Sequence, residues 1–312
     1  MTLDDMTTLR PTDETLDELW PAGDRAAVLR GILATGRTTP RPQIAVARTR
    51  RRIALAITLA GAAAAAVAVP ALLPAGVPGG ATPAAAAALH RLAAVAAATP
   101  ADRVGPTQYR HLIVKERQDD PSVHQTTTME SWTAPDGRVW RRDVTVFADG
   151  HQVVDVYDFA PGGDQTADPS PSYLAGLPTT VDALRSYLRS HVSGSTSKDE
   201  AVFTAVGDML RGGFAPPALR AAAVGVLART GHVSLGTATH DAQGRPAQEF
   251  QFIDHTKRAG MVQSLFFAPA TAAILEEREA APADHFEFTS LVLTDDAANA
   301  VPQQIRSGAK PS

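Results

Sequence analysis

The sequence predicts an α+β protein with an N-terminal cytoplasmic arm, one transmembrane helix and an extracytoplasmic antiparallel β-sheet domain that contains a helical insertion. Three observations lead to this prediction. Residues 53–73 are uninterruptedly apolar, residues 109–159 and 232–293 are rich in strand-like runs, and residues 181–229 between them have helical periodicity. Strands, then helices, then strands are typical of an antiparallel sheet with its helices packed on one face.

The apolar run, IALAITLAGAAAAAVAVPALL, has the length of a membrane span. About twenty residues that rise ~1.5 Å each match a hydrocarbon core of about 30 Å. Four arginines precede it at positions 48, 50, 51 and 52, whereas residues 74–89 carry no charge. The positive-inside rule therefore predicts a single-pass protein of the cell membrane, with a cytoplasmic N-terminus and an extracytoplasmic C-terminal domain.

The same run has a second interpretation as the apolar core of a cleaved signal peptide. Residues 66–68 read Ala-Val-Ala, so cleavage after Ala68 would fit an A-x-A site. The segment before it is long for a signal, but a start at Val46 would shorten it to an ordinary length. Anchor and cleaved signal both stay open at this point.

Residues 1–52 are predicted to be a cytoplasmic arm with short helices and a basic flank. Thr15 and Glu18 have capping-box spacing, and a second amphipathic segment runs from Asp24 to Leu33. So small a unit cannot bury both of its faces, which leaves a docking element or a tail. We predict that residues 12–33 bind a cytoplasmic regulator.

The extracytoplasmic α+β domain is predicted over residues 84–296, after a linker over 74–83 and before a flexible tail over 297–312. Phe250 and Phe252 alternate with Gln251, which predicts that one face of the sheet is buried and the other is exposed to solvent. A turn is expected at Ala134–Gly137, where Pro and Gly suit a hairpin. The predicted helices cover 84–98, 181–191, 198–210 and 217–229, and the predicted strands cover 109–116, 125–133, 138–147, 152–159, 232–239, 248–253, 261–267, 273–278 and 286–293.

Composition and motifs exclude several functions. The formal net charge is −4, which does not suit nucleic acid, and the absence of cysteine removes disulfides, thiolate zinc sites and cysteine nucleophiles. The sequence contains no G-x-S-x-G elbow, H-E-x-x-H pair, P-loop or G-x-G-x-x-G turn. We therefore predict a protein that is not an enzyme, without catalytic, cofactor-binding or metal-binding residues.

Three sets of residues resemble functional motifs but have simpler interpretations. Ser195 and Lys198 match S-x-x-K, with Arg229–Gly231 as a K-T-G-like element, yet the serines suit a helix cap better. Trp132 and Trp140 face each other across a hairpin, where cross-strand packing is commoner than a ligand platform. A loose group of metal-ligand types comprises His232, His240, Asp241, Asp254 and His255, and its histidines are expected to be surface or turn residues and not ligands.

Six stretches together resemble an actinobacterial family of single-pass membrane proteins of unassigned activity, often encoded beside extracytoplasmic-function sigma factors. They are ARTRRRIALAITLAGAAAAAVAV, APDGRVWRRDV, LPTTVDALRSYLRSH, FTAVGDMLRGGFAPPALRAAAVGVLA, THDAQGRPAQEF and LFFAPATAAILEERE. The resemblance implies an outer domain akin to lipoprotein-carrier-like half-barrels and an arm similar to anti-sigma factors. Ala268 replaces the family's usual acidic residue, and the zinc motif of classical anti-sigma factors is absent.

Two functions follow from this reading. The first is a non-enzymatic protein whose outer domain senses or scaffolds and whose arm regulates a sigma factor or another cytoplasmic partner. The alternative is an envelope module, anchored to the membrane, that binds a lipid or another apolar ligand.

Overall fold

A computed structural model describes residues 80–100, 104–161, 169–257 and 260–311. The predicted arm, the predicted transmembrane segment and residues 74–79 of the predicted linker lie outside these ranges. Among the helices within them, none combines the length and apolar character needed to cross a membrane.

One sheet of ten strands organises the described part of the chain, in the order β10-β4-β3-β2-β1-β9-β8-β7-β6-β5. All neighbours in this order are antiparallel except β10 and β4. The order has two free ends, so the sheet is open. The strands are β1 (Tyr109–Asp120), β2 (Val123–Thr133), β3 (Val139–Phe147), β4 (Gln152–Phe159), β5 (Val233–Leu235), β6 (Gln248–Phe252), β7 (Val262–Phe267), β8 (Ile274–Ala281), β9 (Phe286–Ala298) and β10 (Lys310–Pro311).

The antiparallel sheet and its hairpin turns confirm the prediction. At the β2–β3 turn, the Ala134 N–H donates to the Arg138 carbonyl, and Gly137 has φ = 92°. Gly150 takes φ = 82° in the β3–β4 turn. Side chains with a Cβ disfavour this left-handed region, so glycine at these two positions closes both hairpins without strain.

In the described residues, five α-helices lie before β5 in the chain, and most of their buried side chains join the sheet in one core. They are α1 (Pro83–Ala98), α2 (Pro171–Ala175), α3 (Val181–His191), α4 (Lys198–Arg211) and α5 (Pro217–Ala228). Of these, α2 was not predicted. The core contains Phe203 of α4 and Leu227 of α5 together with Phe250, Phe252 and Phe267 of the sheet. We call the side of the sheet that carries this core the inner face and the opposite side the outer face.

The outer face near β6 is not exposed to solvent, contrary to the prediction from the Phe250–Phe252 alternation. Gln251 is buried, and so is the neighbouring Glu249. The predicted strand over 232–239 ends at Leu235 because the following loop folds back over this face. The Glu249 carboxylate accepts hydrogen bonds from the Gln251 side chain, the Ser264 hydroxyl and the Ala238 N–H. These contacts replace the hydrogen bonds that water would supply.

The predicted flexible tail over 297–312 differs from the structure. Strand β9 continues to Ala298, a sixth helix, α6 (Gln303–Gly308), follows, and β10 pairs with Tyr157 and Asp158 of β4. Val301 and Ile305 are buried on the outer face against Trp132. Burial of these two apolar side chains against an aromatic ring stabilises α6 on the sheet, and Arg306 adds a hydrogen bond to the Tyr109 hydroxyl.

Replacing Ile305 by aspartate is expected to detach α6 and to expose Trp132. A charge at this buried position costs the apolar burial as well as the desolvation of the carboxylate, about 2 kcal/mol or more. Tryptophan emission of the full chain should shift to longer wavelength. The matched change at the exposed neighbour, Gln304→Asp, should leave the emission unchanged. Equal spectra for the two variants would contradict the docking of α6.

Candidate functional site

The inner face of strands β1–β4 carries polar and charged side chains instead of a continuous apolar core. Arg110 of β1 stacks on Phe214, in the loop after α4, which places it on the inner face. Alternate residues of a strand share its face, and so do residues that oppose each other on neighbouring strands. The register therefore places these rows on the inner face: Leu112, Ser131, Arg141 and Tyr157; Val114, Met129, Asp143 and Asp155; Glu116, Thr127, Thr145 and Val153.

Arg141 is the centre of this polar area. Its guanidinium lies 5.4 Å from the ring centroid of Tyr157 and 5.2 Å from that of Phe159, and its Nη2 donates to Asp143 Oδ2 at 2.8 Å. Cation–π contacts and a charge-assisted hydrogen bond fix the side chain in one orientation. Arg141 thus holds Asp143 in place, next to two aromatic rings.

Asp143 lies in a local excess of negative charge. Burial raises the pKa of its carboxyl above the ordinary value, and the nearby carboxylates of Glu116 and Asp155 raise it further, whereas Arg141 lowers it. Its Oδ1 is buried and has no hydrogen-bond partner among the described residues. We call the inner-face carboxylates Glu116, Asp143 and Asp155 the acidic row; Arg141 pairs with Asp143, and the three carboxylates together would attract a further cationic group.

The variant Asp143→Asn is expected to unfold at a higher temperature than the parent at neutral pH. A carboxyl whose pKa is raised in the folded state opposes folding above that pKa, and the penalty disappears as the pH falls through it. The gain in unfolding temperature should therefore shrink as the pH falls. It should vanish below a pH of about 3.8, which is the ordinary pKa of an Asp carboxyl. Thermal unfolding of full chains between pH 3 and 7 measures it, with the exposed Asp284→Asn as the charge-matched control. A gain that does not depend on pH would contradict the assigned cause.

An ion pair attaches helix α4 to the sheet beside the acidic row. Arg211 donates to both carboxylate oxygens of Glu277 on β8, with its Nε 2.9 Å from Oε1, and its Nη2 lies 3.1 Å from Asp208 Oδ1. Burial lowers the pKa of Arg211, but these carboxylates raise it more, so the net pKa lies above its ordinary value. The guanidinium is charged, and Glu116 also interacts with it.

The loop after α4 is fixed against β1 and β9 by Arg110. This side chain is buried, pairs with Asp295 and stacks on Phe214. Gly213 has φ = 68°, and a Cβ there would lie 1.9 Å from Arg110 Nη2. The close approach of this backbone to a buried cation requires glycine.

The end of the β3–β4 hairpin leaves apolar side chains exposed on both of its faces. Val146 is 39% exposed and Val154 49% on the outer face, while Phe147 is 36% exposed and Val153 37% on the inner face. In the part of the chain that the structure describes, Leu235 is the other large apolar side chain with this degree of exposure. Two such residues lie on each face at the end of one hairpin, and clustered exposed apolar side chains mark interaction surfaces in soluble domains. We call these four residues the hairpin patch.

Trp132 and Trp140 are packed against neighbouring side chains and do not form an open platform. Trp132 and Trp140 oppose each other across β2 and β3 on the outer face. Trp132 is buried beneath α6 and stacks on His111, and Trp140 contacts Tyr109 edge to face. Their arrangement agrees with the cross-strand packing expected from the sequence.

The S-x-x-K motif forms the start of helix α4. Ser197 Oγ accepts the Glu200 N–H at 3.1 Å as the N-cap, and Lys198 Nζ donates to the Val192 carbonyl at 2.7 Å. In the K-T-G-like element, the Thr230 hydroxyl donates to the Val226 carbonyl at 2.9 Å. These polar groups satisfy backbone positions at helix ends, which agrees with the capping interpretation.

The loose group of histidines and aspartates does not converge. Asp241 is buried and pairs with Arg245, while His232 Nε2 lies 3.9 Å from Asp254 Oδ2. Within the described residues, no three His, Asp or Glu side chains are placed to hold a metal ion. Asp254 instead accepts hydrogen bonds from the Thr256 N–H and hydroxyl, which lower its pKa.

No protein-family model matches the sequence. No curated protein matches it either. Among solved structures, MucB in complex with MucA(peri) matches with a TM-score of 0.30 and 14% identity, over 72% of this chain and 60% of that chain. The MucA/MucB complex of Pseudomonas aeruginosa matches with a TM-score of 0.30 and 12% identity, over 73% and 61%. LprF from Mycobacterium bovis matches with a TM-score of 0.33 and 12% identity, over 72% and 99%.

The chain thus covers about three fifths of the MucA/MucB-complex chains that it matches. TM-scores of 0.30 to 0.33 are too low to support a function for this protein. The proposed function of this protein therefore rests on its own residues and not on these similarities.

The acidic row and the hairpin patch were missed in the sequence. The strands that carry them were predicted, but their charged and apolar residues were not assigned to a site. The available signal was the pairing of Asp143 with Asp155 across the second hairpin, because like charges directly opposite each other are unfavourable in a sheet.

Proposed function

We propose that this chain is a membrane-anchored, non-enzymatic binding protein. Residues 53–73 span the membrane with the N-terminus in the cytoplasm, and the sheet domain outside binds a partner protein through its β1–β4 half. The arm, at residues 12–33, transmits the bound state to a cytoplasmic regulator such as a sigma factor. The observation that carries this proposal is the exposed apolar hairpin patch, whose inner-face residues Phe147 and Val153 share their face of the sheet with the acidic row.

A protein partner suits these residues better than an acyl chain does. The hairpin patch offers exposed apolar area, and the acidic row adds charge for orientation, the combination found at protein interfaces. A lipid tail would need a continuous apolar lining, whereas Glu116, Arg141, Asp143 and Asp155 lie across the inner face. The lipid-binding alternative therefore becomes an outcome of the test.

Photo-crosslinking tests the binding surface in the full-length chain in its own membrane. Benzoylphenylalanine at position 154, in the hairpin patch, is compared with the same residue at position 243, an exposed turn in the loop before β6. We expect a discrete protein adduct from position 154 and none from position 243. A lipid adduct alone, or equal yields from both positions, would contradict the proposed partner.

Topology reporters test the anchor. Fusions after Arg37 and after Gly80 should report cytoplasmic and extracytoplasmic locations respectively, and the intact mass of the mature protein should include residue 1. A mature protein that begins after Ala68, or translation from Val46, would replace the anchor by a cleaved signal. The binding surface would then have to act without the arm.

A further inference from the structure

One edge of strand β4 is largely without a neighbouring strand among the described residues, and the composition of this edge is unusual. Among the described strands, β10 alone pairs with the edge of β4 that points away from β3. It covers only Tyr157 and Asp158. Residues 152–156 therefore present backbone N–H and C=O groups without a neighbouring described strand. The edge strands of natural sheets are usually protected against pairing with other chains by charged residues, proline, bulges or short length. This stretch reads Gln-Val-Val-Asp-Val, with a single charge.

The opposite edge of the sheet shows the usual protection. Strand β5 has only three residues, Val233–Leu235, so it offers a short template. At the β4 edge, by contrast, Val153 and Val154 project to opposite faces and both are exposed. An added strand could cover apolar area on both faces there. Further along the same edge, Tyr157 and Asp158 already pair with the short parallel strand β10.

Charge on the inner face indicates the chemistry of the occupant. A residue that opposes Asp155 on an added strand would share its face and lie in line with Asp143. Lysine or arginine at that position would meet the acidic row, and an apolar residue beside it would pack on Val154. A second copy of this chain fits less well, because antiparallel self-pairing would bring the two acidic rows together.

We propose that the partner binds by strand addition: an extended segment with alternating basic and apolar residues pairs with β4 at residues 152–156, its basic side chains on the inner face. This inference rests on the proposed function and specifies its binding mode. Main-chain hydrogen bonds would supply affinity, and the alternation would supply specificity.

Two blocked heptapeptides serve as probes, one alternating Lys and Val and the other alternating Glu and Val. Each is added to the full chain in detergent micelles, and amide hydrogen exchange is followed in fragments that contain residues 152–156. The basic peptide should slow exchange there, saturably, and bind at least about tenfold more tightly than the acidic one. No slowing, or equal slowing by both peptides, would overturn the proposal.

A pair of edge variants provides the matched control. Val154→Lys places a repelling charge on the β4 edge, and Leu235→Lys places the same charge at an exposed apolar position of the β5 edge, where the parent side chain is 37% exposed against 49% for Val154. The first should weaken the basic peptide at least about tenfold, and the second should not change its affinity. Equal affinities for the two variants would overturn the proposal.

Asp155→Asn provides a second test if Val154→Lys unfolds the chain. It should weaken the basic peptide and not the acidic one, and unchanged discrimination would overturn the proposal. The crosslink from position 154 separates the two levels of inference. A protein adduct without protection of residues 152–156 would reject strand addition and leave the partner-binding function standing, whereas loss of both would reject the function as well.

Discussion

Arg211→Ala is expected to lower the free energy of unfolding by about 3–5 kcal/mol, because it leaves buried carboxylates without their cation. The Arg211 and Glu277 side chains are only 14% and 11% exposed, and they bond through two nitrogens and two oxygens. Removing the guanidinium would leave the Glu277 carboxylate largely buried between α4 and β8 without its cation. Asp208, on the preceding turn of α4, would lose the same partner.

Urea unfolding of the detergent-solubilised chain, followed by circular dichroism, measures this loss. Arg189→Ala is the matched control, because the Arg189 side chain is 39% exposed in its pair with Asp199. An exposed pair contributes about 0–1 kcal/mol, so the control should lose little stability. Similar losses in the two variants would show that the Arg211 pair does not attach α4 to the sheet.

Phe250→Ala is expected to have an effect of the same size, about 3–5 kcal/mol. The ring is fully buried, packs edge to face with Phe267 at 5.9 Å between centroids and belongs to the core shared by helices and sheet. The cavity left by the ring would face closely packed strands that cannot collapse freely. Phe147→Ala, which truncates an exposed phenylalanine of the hairpin patch, is the control and should cost far less. Equal costs would contradict the assigned core.

The hairpins and the helical insertion could be predicted because their signals are local. Pro135, Asp136 and Gly137 specify a turn without reference to the rest of the chain, and Pro217 marks the first residue of α5. Alternation and helical periodicity then placed the flanking elements within a few residues of their observed bounds.

The ordered C-terminus could not be predicted, because its stability comes from distant partners. Ile305 is one isoleucine in a polar segment, and only the folded sheet shows that Trp132 lies beneath it. The loop after β5 is similar, since Glu249 appears to be a solvent-facing strand residue until its hydrogen bonds to the Ala238 N–H and to Ser264 are known.

The candidate site depends on the register of four strands. Glu116, Asp143 and Asp155 are separated along the chain, and their shared face follows from pairing that spacing does not determine. Exposure of the hairpin patch is likewise a property of the whole fold. Apolar residues at 146, 147, 153 and 154 read as ordinary strand residues until the sheet shows that nothing in its described part covers them.

Crosslinking from the cytoplasmic arm tests most directly whether the outer surface controls a cytoplasmic regulator. Benzoylphenylalanine replaces Trp20 in full-length chains that are otherwise unchanged or carry Val154→Lys or Leu235→Lys. We expect an adduct with a cytoplasmic regulator whose yield changes with Val154→Lys and not with Leu235→Lys. Absence of any cytoplasmic adduct, or equal yields in all three chains, would contradict the coupling of the hairpin patch to the arm.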